Sequence, residues 1–240
     1  MHDPAAITAQ LTANLNGIRQ RILAACQRVS RAESEVRLVA VTKYAAWPWV
    51  ESLALQHSDF GENRPQQLAE RQPLLPQIRW HLIGQLQRNK VRMAVQHAQM
   101  IHSVDSLKLL EAIADAACRE NCRPELLLQV NASFEAAKSG FHPDALPELW
   151  PQVLQAARGL PIVGLMTMAA ETDNPEETRP TFRQLRLLRD ALQNRPDTIA
   201  AGVQLHELSM GMSGDFEPAI EEGATLVRLG TAVFQHLERD

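Results

Sequence analysis

Apolar positions recur along the chain in two alternating rhythms. From Ala5 to Val29, the residues Ile7, Leu11, Leu15, Ile18, Ile22 and Val29 fall on one stripe, which predicts an amphipathic helix. Short apolar runs follow, each closed by turn or polar residues: Arg37–Thr42, Ser58–Phe60, Ile78–Ile83, Met100–Val104, Glu125–Val130, Ile162–Met166, Val203–Leu208 and Thr225–Leu229. Between them the helical spacing returns, as in Leu107–Asn121 (Leu107, Leu110, Ile113, Ala114, Ala117) and Glu176–Gln193 (Phe182, Leu185, Leu188, Leu192). Asn174 before Pro175 reads as a cap and first-turn pair opening the latter helix. Eight strands alternating with helices predict an α/β fold, a (β/α)8 TIM barrel with an extra N-terminal helix. A doubly wound open sheet is the competing arrangement, but no Gly-x-Gly-x-x-Gly follows the first strand. The second strand is the weakest, three or four residues before Gly61.

The chain has 240 residues and a mass of 26.8 kDa, room for one such barrel as a single domain over residues 1–240. A chain this long buries roughly 70–75% of its unfolded surface and needs no disulfide or metal to build a core. Apolar residues at 45% and charged residues at 22% exclude a disordered or low-complexity chain. Twenty-four basic against 28 acidic residues give a net charge of −4, so no basic excess points to nucleic acid or anionic membranes. The uncharged stretch Pro161 to Ala170 is far shorter than the ~18 apolar residues that span a bilayer. Met1, His2, Asp3 and Pro4 lack the basic start of a signal peptide, so the expectation is a cytoplasmic protein. Cys26, Cys118 and Cys122 make no disulfide framework. Cys118 and Cys122 resemble half a metal site that no other Cys or His run completes, so no metal is expected.

In barrels of this type function gathers at the C-terminal ends of the strands. Lys43 closes the apolar run Leu38-Val39-Ala40-Val41. Desolvation there favours the free amine, a nucleophile for a Schiff base; the plainer reading is a lysine that reaches out to solvent. Ser209, Gly211, Ser213 and then Gly230 and Thr231 place hydroxyls and open backbone after strands seven and eight, where barrels bind phosphate. Tight turns alone would also account for the glycines. Together these ends suit a phosphorylated aldehyde, with pyridoxal 5′-phosphate (PLP) as the candidate cofactor. Arg228 shares a strand face with Gly230, and a guanidinium aimed at the pyridine nitrogen would keep that nitrogen unprotonated. Pairing of Arg228 with an acid such as Glu207 fits the spacing equally well. His206 falls on the opposite side from Ser209, and Glu217, Glu221 and Glu222 read as a solvated helical face.

Several segments run in order from about Leu38 to Phe234. They are Ala40-Val41-Thr42-Lys43, Phe60-Gly61-Glu62-Asn63, Trp80 to Lys90, and Ile101-His102-Ser103-Val104-Asp105-Ser106. Next come Leu128-Gln129-Val130-Asn131, Lys138-Ser139-Gly140-Phe141 and Gly164-Leu165-Met166. Leu208 to Ser213 with Asp215-Phe216-Glu217, and Val227 to Ala232, complete the set. In these the chain resembles the pyridoxal-phosphate homeostasis protein family, which shares the alanine-racemase-type N-terminal barrel. The resemblance implies PLP held as a Schiff base on Lys43, Asn63 near the ring substituents and Arg228 facing the ring nitrogen. It places Ser209, Gly230 and Thr231 on the phosphate. It implies a carrier or regulator of vitamin B6 balance without an established catalytic activity; a monomer is expected, with PLP and PLP-requiring apo-enzymes as partners. The chain departs from the pattern at Ala45, where many members have a second lysine, leaving Lys138 available for any accessory transfer. It departs again at Arg64, where an aromatic is frequent, and at Gln235.

Racemisation needs an acid/base group on each face of the bound amino acid. Lys43 serves one face. The resemblance implies that two-domain alanine racemases bring a tyrosine from a second domain to the other, and this chain's length leaves no room for one. Tyr44, the only tyrosine, should point away from Lys43 unless the strand has already ended. A carrier without robust catalysis is therefore expected, with weak racemase activity as the alternative. A Schiff-base aldolase acting on a sugar phosphate, with Glu62 or His81 as proton shuttle, is the remaining reading.

Overall fold

The computed structural model describes residues 4–133 and 139–237, so Lys138 lies outside the described residues. The first helix, α1 (Pro4–Arg28), buries the stripe Ile7, Leu11, Leu15, Ile18 and Ile22 that its spacing predicts. The barrel then alternates β1 (Arg37–Val41), α2 (Trp47–Ala54), β2 (Asp59–Glu62), α3 (Pro65–Arg71), β3 (Arg79–Leu82), α4 (Val91–His97), β4 (Met100–Val104) and α5 (Leu107–Glu120). It continues with β5 (Glu125–Gln129), α6 (Leu146–Ala157), β6 (Ile162–Met166), α7 (Arg179–Gln193), α8 (Pro196–Ala200), β7 (Glu207–Ser209), α9 (Phe216–Glu221) and β8 (Leu226–Leu229). The strands pair in sequence order, all parallel, and β8 returns to β1 with Val39 opposite Arg228. The closed parallel barrel excludes the open sheet.

Two strands differ from their sequence pattern. β2 extends through Gly61 to Glu62 because its whole length pairs with β3, Gly61 opposite His81. β7 starts only at Glu207, although Val203 and Leu205 alternate as a strand would. There the Leu205 N–H donates to the side chain of Gln193 at 2.6 Å, and Leu205 packs into the helical layer instead of joining the ladder. His206 is accordingly exposed ahead of the strand. Asn174 caps as expected, accepting from the Glu176 N–H at 3.2 Å, but a short 3-10 turn over Pro175–Thr178 precedes the helix.

Strand alternation splits the core into two. Residues such as Leu38, Ala40, Phe60, Ile101, Leu126 and Leu165 point outward and pack under the helices. Val39, Met100, Leu127, Val163, Met166 and Leu226 form a smaller cluster inside the barrel. The floor of that interior is ionic, with Arg37 paired to Glu207 and Arg79 to Glu125, all four from the starts of alternate strands. Glu217, Glu221 and Glu222 are not a free solvated face. Arg21 and Arg28 of α1 pair with Glu217, while Arg183 and Arg186 of α7 pair with Glu222, which sews the barrel's ends together. Among the described residues no helix is long and apolar enough to cross a membrane.

Candidate functional site

Lys43 follows β1 by two residues and sits half-buried on the C-terminal face. Because β1 ends at Val41, Thr42, Lys43 and Tyr44 lie in a turn and the strand alternation no longer applies. The Tyr44 ring accordingly comes back to the lysine, its centroid 5.0 Å from Nζ. Arg71 clamps this turn from the end of α3. Its Nη1 donates to the Thr42 carbonyl at 2.8 Å and to Glu62 at 2.7 Å, and its Nη2 donates to the Ala45 carbonyl at 3.0 Å. Glu62 is fully buried. Burial pulls its carboxyl above the usual range, while Thr42, Arg71 and the Asn63 N–H oppose that shift. Glu62 is thus spent on holding the loops that carry Lys43 and Asn63.

Asn63 is half-buried at the end of β2, next to the loop after β3. Gly84 makes that approach possible, since a Cβ there would lie 2.2 Å from the Asn63 carbonyl oxygen. Ser103 holds the same loop by donating to the Gly84 carbonyl at 2.6 Å.

On the far side, the loops after β7 and β8 form a cup. Gly211, at φ +92°, turns the chain where a Cβ would meet Ala219 at 2.7 Å. The Ala232 N–H donates to Ser213 Oγ at 3.4 Å and ties the two loops together. The amide N–H groups of Ser213, Gly214, Gly230 and Thr231 donate to no acceptor among the described residues. Gly230 also opens the last helical turn, its carbonyl accepting from Val233 and Phe234. Backbone amides left unclaimed at such a turn are able to hold an anion.

Ser209 is not in that cup. It is fully buried below it, where its oxygen accepts from Arg228 Nη1 at 2.6 Å and lies 2.8 Å from His102 Nδ1. Arg228 also donates Nη2 to the Thr167 carbonyl at 2.9 Å. Glu207 is taken by Arg37, so Arg228 has no acid in contact among the described residues and the pairing that spacing allowed does not form. Burial pushes the guanidinium down to about 10, which keeps it charged at neutral pH. The other three of its five N–H groups make no hydrogen bond among the described residues. Below, His102 Nε2 lies 2.9 Å from His81 Nδ1, and His81 Nε2 lies 3.2 Å from Asp59.

Sequence reasoning assigned no role to Arg71, Asp59, Thr167 or His102 and considered His81 only as a shuttle. A polar residue on the inward face of a strand was the available signal for both histidines.

The alanine racemase N-terminal domain family matches residues 13–237. A pyridoxal phosphate homeostasis protein of Aquifex aeolicus is 39% identical over 223 residues, 92% of this chain and 95% of its own. The chain belongs to the pyridoxal phosphate homeostasis protein family. The crystal structure of an unknown protein from Bifidobacterium adolescentis matches with a TM-score of 0.84 at 33% identity, over 98% of this chain and 97% of that one. PipY of Synechococcus elongatus, solved with PLP bound, matches at 37% identity with a TM-score of 0.75, over 90% of this chain and 99% of its own. The family therefore carries the closed barrel described above.

Burial keeps both His81 and His102 neutral, His102 well below the usual imidazole value and further opposed by His81, Arg228, Arg37 and Arg79. Their folded values lie below their unfolded value of about 6.5, so the unfolded chain binds more protons in the window just beneath it. Their contribution is fully present above about pH 6.5 and is lost as pH falls below it, at up to ~1.4 kcal/mol per pH unit for each histidine. Denaturant stability should therefore fall between pH 7.5 and 5.5, by no more than ~1.4 kcal/mol from each histidine. His102→Leu should show about half of it; equal slopes in the two proteins would contradict this account.

Proposed function

We propose that this chain binds PLP at the C-terminal mouth of a single-domain barrel and acts in the cytoplasm as a monomeric carrier or regulator of the cofactor. What carries the reading is one juxtaposition. The Lys43 amine, the spare donors of Arg228 and the unclaimed amides of Ser213, Gly214, Gly230 and Thr231 share one face. Those groups fit the aldehyde, ring nitrogen and phosphate of PLP. The PLP-bound relative and the name of the Aquifex relative support the same ligand.

PLP supplies an aldehyde carbon that a lysine amine attacks with loss of water, giving a Schiff base. In this chain Lys43 presents the amine, held by the turn that Arg71 clamps and by the Tyr44 ring. Asn63, pressed against the Gly84 loop, lines the mouth beside it. Arg228 offers donors, so the nitrogen it meets must be an acceptor, which weakens the ring as an electron sink. Gly230 and Thr231 hold the phosphate through backbone N–H groups, and Ser209 contributes from beneath through Arg228.

Carrier function is favoured over racemisation because Tyr44 stays on the side of Lys43 and so does not serve the opposite face. Glu62 and His81, the shuttles an aldolase would need, are fully buried and already engaged. Purified protein incubated with PLP should turn yellow and bleach on borohydride, with one pyridoxyl group on the peptide containing Lys43. A colourless protein that traps a sugar phosphate instead would replace this reading with the aldolase.

A further inference from the structure

The interior of such a barrel is usually packed with branched apolar side chains. Here Asp59, His81, His102, Ser209 and Arg228, from β2, β3, β4, β7 and β8, run as one hydrogen-bonded chain from the floor to the mouth. His81, His102 and Ser209 are fully buried, so each donor and acceptor among them needs a partner.

The two ends fix the direction. An ionised carboxylate only accepts and a guanidinium only donates. Burial raises the Asp59 carboxyl, but His81, Ser58 and Arg37 together outweigh it and hold that carboxyl below its usual range. His81 Nε2 therefore donates to Asp59, and the bare Nδ1 of His81 accepts from His102 Nε2. The bare Nδ1 of His102 then accepts the Ser209 hydroxyl proton, which leaves the serine oxygen to accept from Arg228. Every proton is used once and both imidazoles are neutral. The reverse direction fails at both ends. It sets a bare nitrogen of His81 against the carboxylate, and it aims two donors at Ser209 while leaving that hydroxyl proton unspent.

We propose that Asp59, His81 and His102 are positioning residues that hold Ser209 as an acceptor beneath Arg228 and so fix the donor face Arg228 turns to a ring nitrogen. The inference rests on the PLP reading. It makes the floor of the barrel part of ligand selection, favouring pyridine phosphates with a bare ring nitrogen over those whose nitrogen is methylated or replaced by carbon.

The test is competition between PLP and its N-methylated and 1-deaza analogues, read by borohydride trapping on Lys43 and mass spectrometry. Wild-type protein should prefer PLP, and His102→Leu should lower that preference about tenfold, the worth of one buried hydrogen bond. His102→Asn, whose Oδ1 takes the place of the accepting Nδ1, should keep most of it. If His102→Leu does not fold, Ser209→Ala removes the same acceptor and should show the same loss. A folded His102→Leu or Ser209→Ala protein with undiminished preference overturns the inference, as does a wild-type protein that traps all three ligands equally. Failure of wild type to trap any pyridoxyl group on Lys43 overturns the PLP reading itself.

Discussion

Lys43→Ala protein should purify colourless, stay colourless with added PLP, and yield no pyridoxyl peptide after borohydride. Only the covalent link is removed, because Arg228 and the amide cup stay in place. Residual non-covalent binding should therefore survive, weakened by about two orders of magnitude, or ~2.7 kcal/mol. Fluorescence titration with PLP measures that residue of affinity. The fold should be nearly indifferent, with denaturant stability within about 0.5 kcal/mol of wild type, since Lys43 is half-buried and makes no ion pair among the described residues. Lys43→Arg separates covalency from charge: it keeps the cation beside Tyr44 but forms no Schiff base and should also be colourless. A Lys43→Ala protein as yellow as wild type would mean that another amine holds the ligand.

The barrel was legible because its signals are local. Each apolar run and each helical stripe needs only its own few residues, and the closing pair of β8 on β1 then follows from eight parallel strands in order. The lost half of β7 was not legible, because what ends the strand pattern at Leu205 is a side chain twelve residues earlier, Gln193. Within the candidate site, the strand-end positions of Lys43, Asn63, Gly230, Thr231 and Arg228 were legible, because each follows from where an apolar run stops. Ser209 was expected on the phosphate, and it ends β7 fully buried, bonded to Arg228 and His102. Strand alternation says which way its side chain faces and nothing about the two partners that consume it. His102 reads as one of two polar residues, with Ser103, within the strand Met100–Val104, and its meaning appears only when β3 and β7 bring His81 and Ser209 to it. Tyr44 shows the limit of alternation itself, which stops where the strand stops.

Arg71 was invisible for the same reason, and its removal should give the largest stability loss in the site. In sequence it is a helix-terminal arginine nine residues beyond Glu62. In space it spans three segments, reaching Glu62, the Thr42 carbonyl and the Ala45 carbonyl, with its guanidinium 5.8 Å from the Trp47 ring centroid. Arg71→Ala leaves a fully buried carboxyl with only Thr42, the Gln67 amide and backbone for company, a change that typically costs about 3–5 kcal/mol. For a chain of this size that is roughly 10 °C in Tm. Lysine cannot substitute, because one ammonium on a flexible stem does not span those acceptors in the fork a guanidinium provides. The charge account makes a sharper demand on the double variant. Glu62→Gln with Arg71→Ala removes the orphaned charge together with its partner, and it should recover about 1–3 kcal/mol relative to Arg71→Ala alone. The carbonyls of Thr42 and Ala45 remain without their donor in both proteins, so the double variant should still load PLP onto Lys43 more slowly than wild type. Arg71→Ala within about 1 kcal/mol of wild type, or a double variant no better than the single, would show that the clamp on the Lys43 turn lies elsewhere.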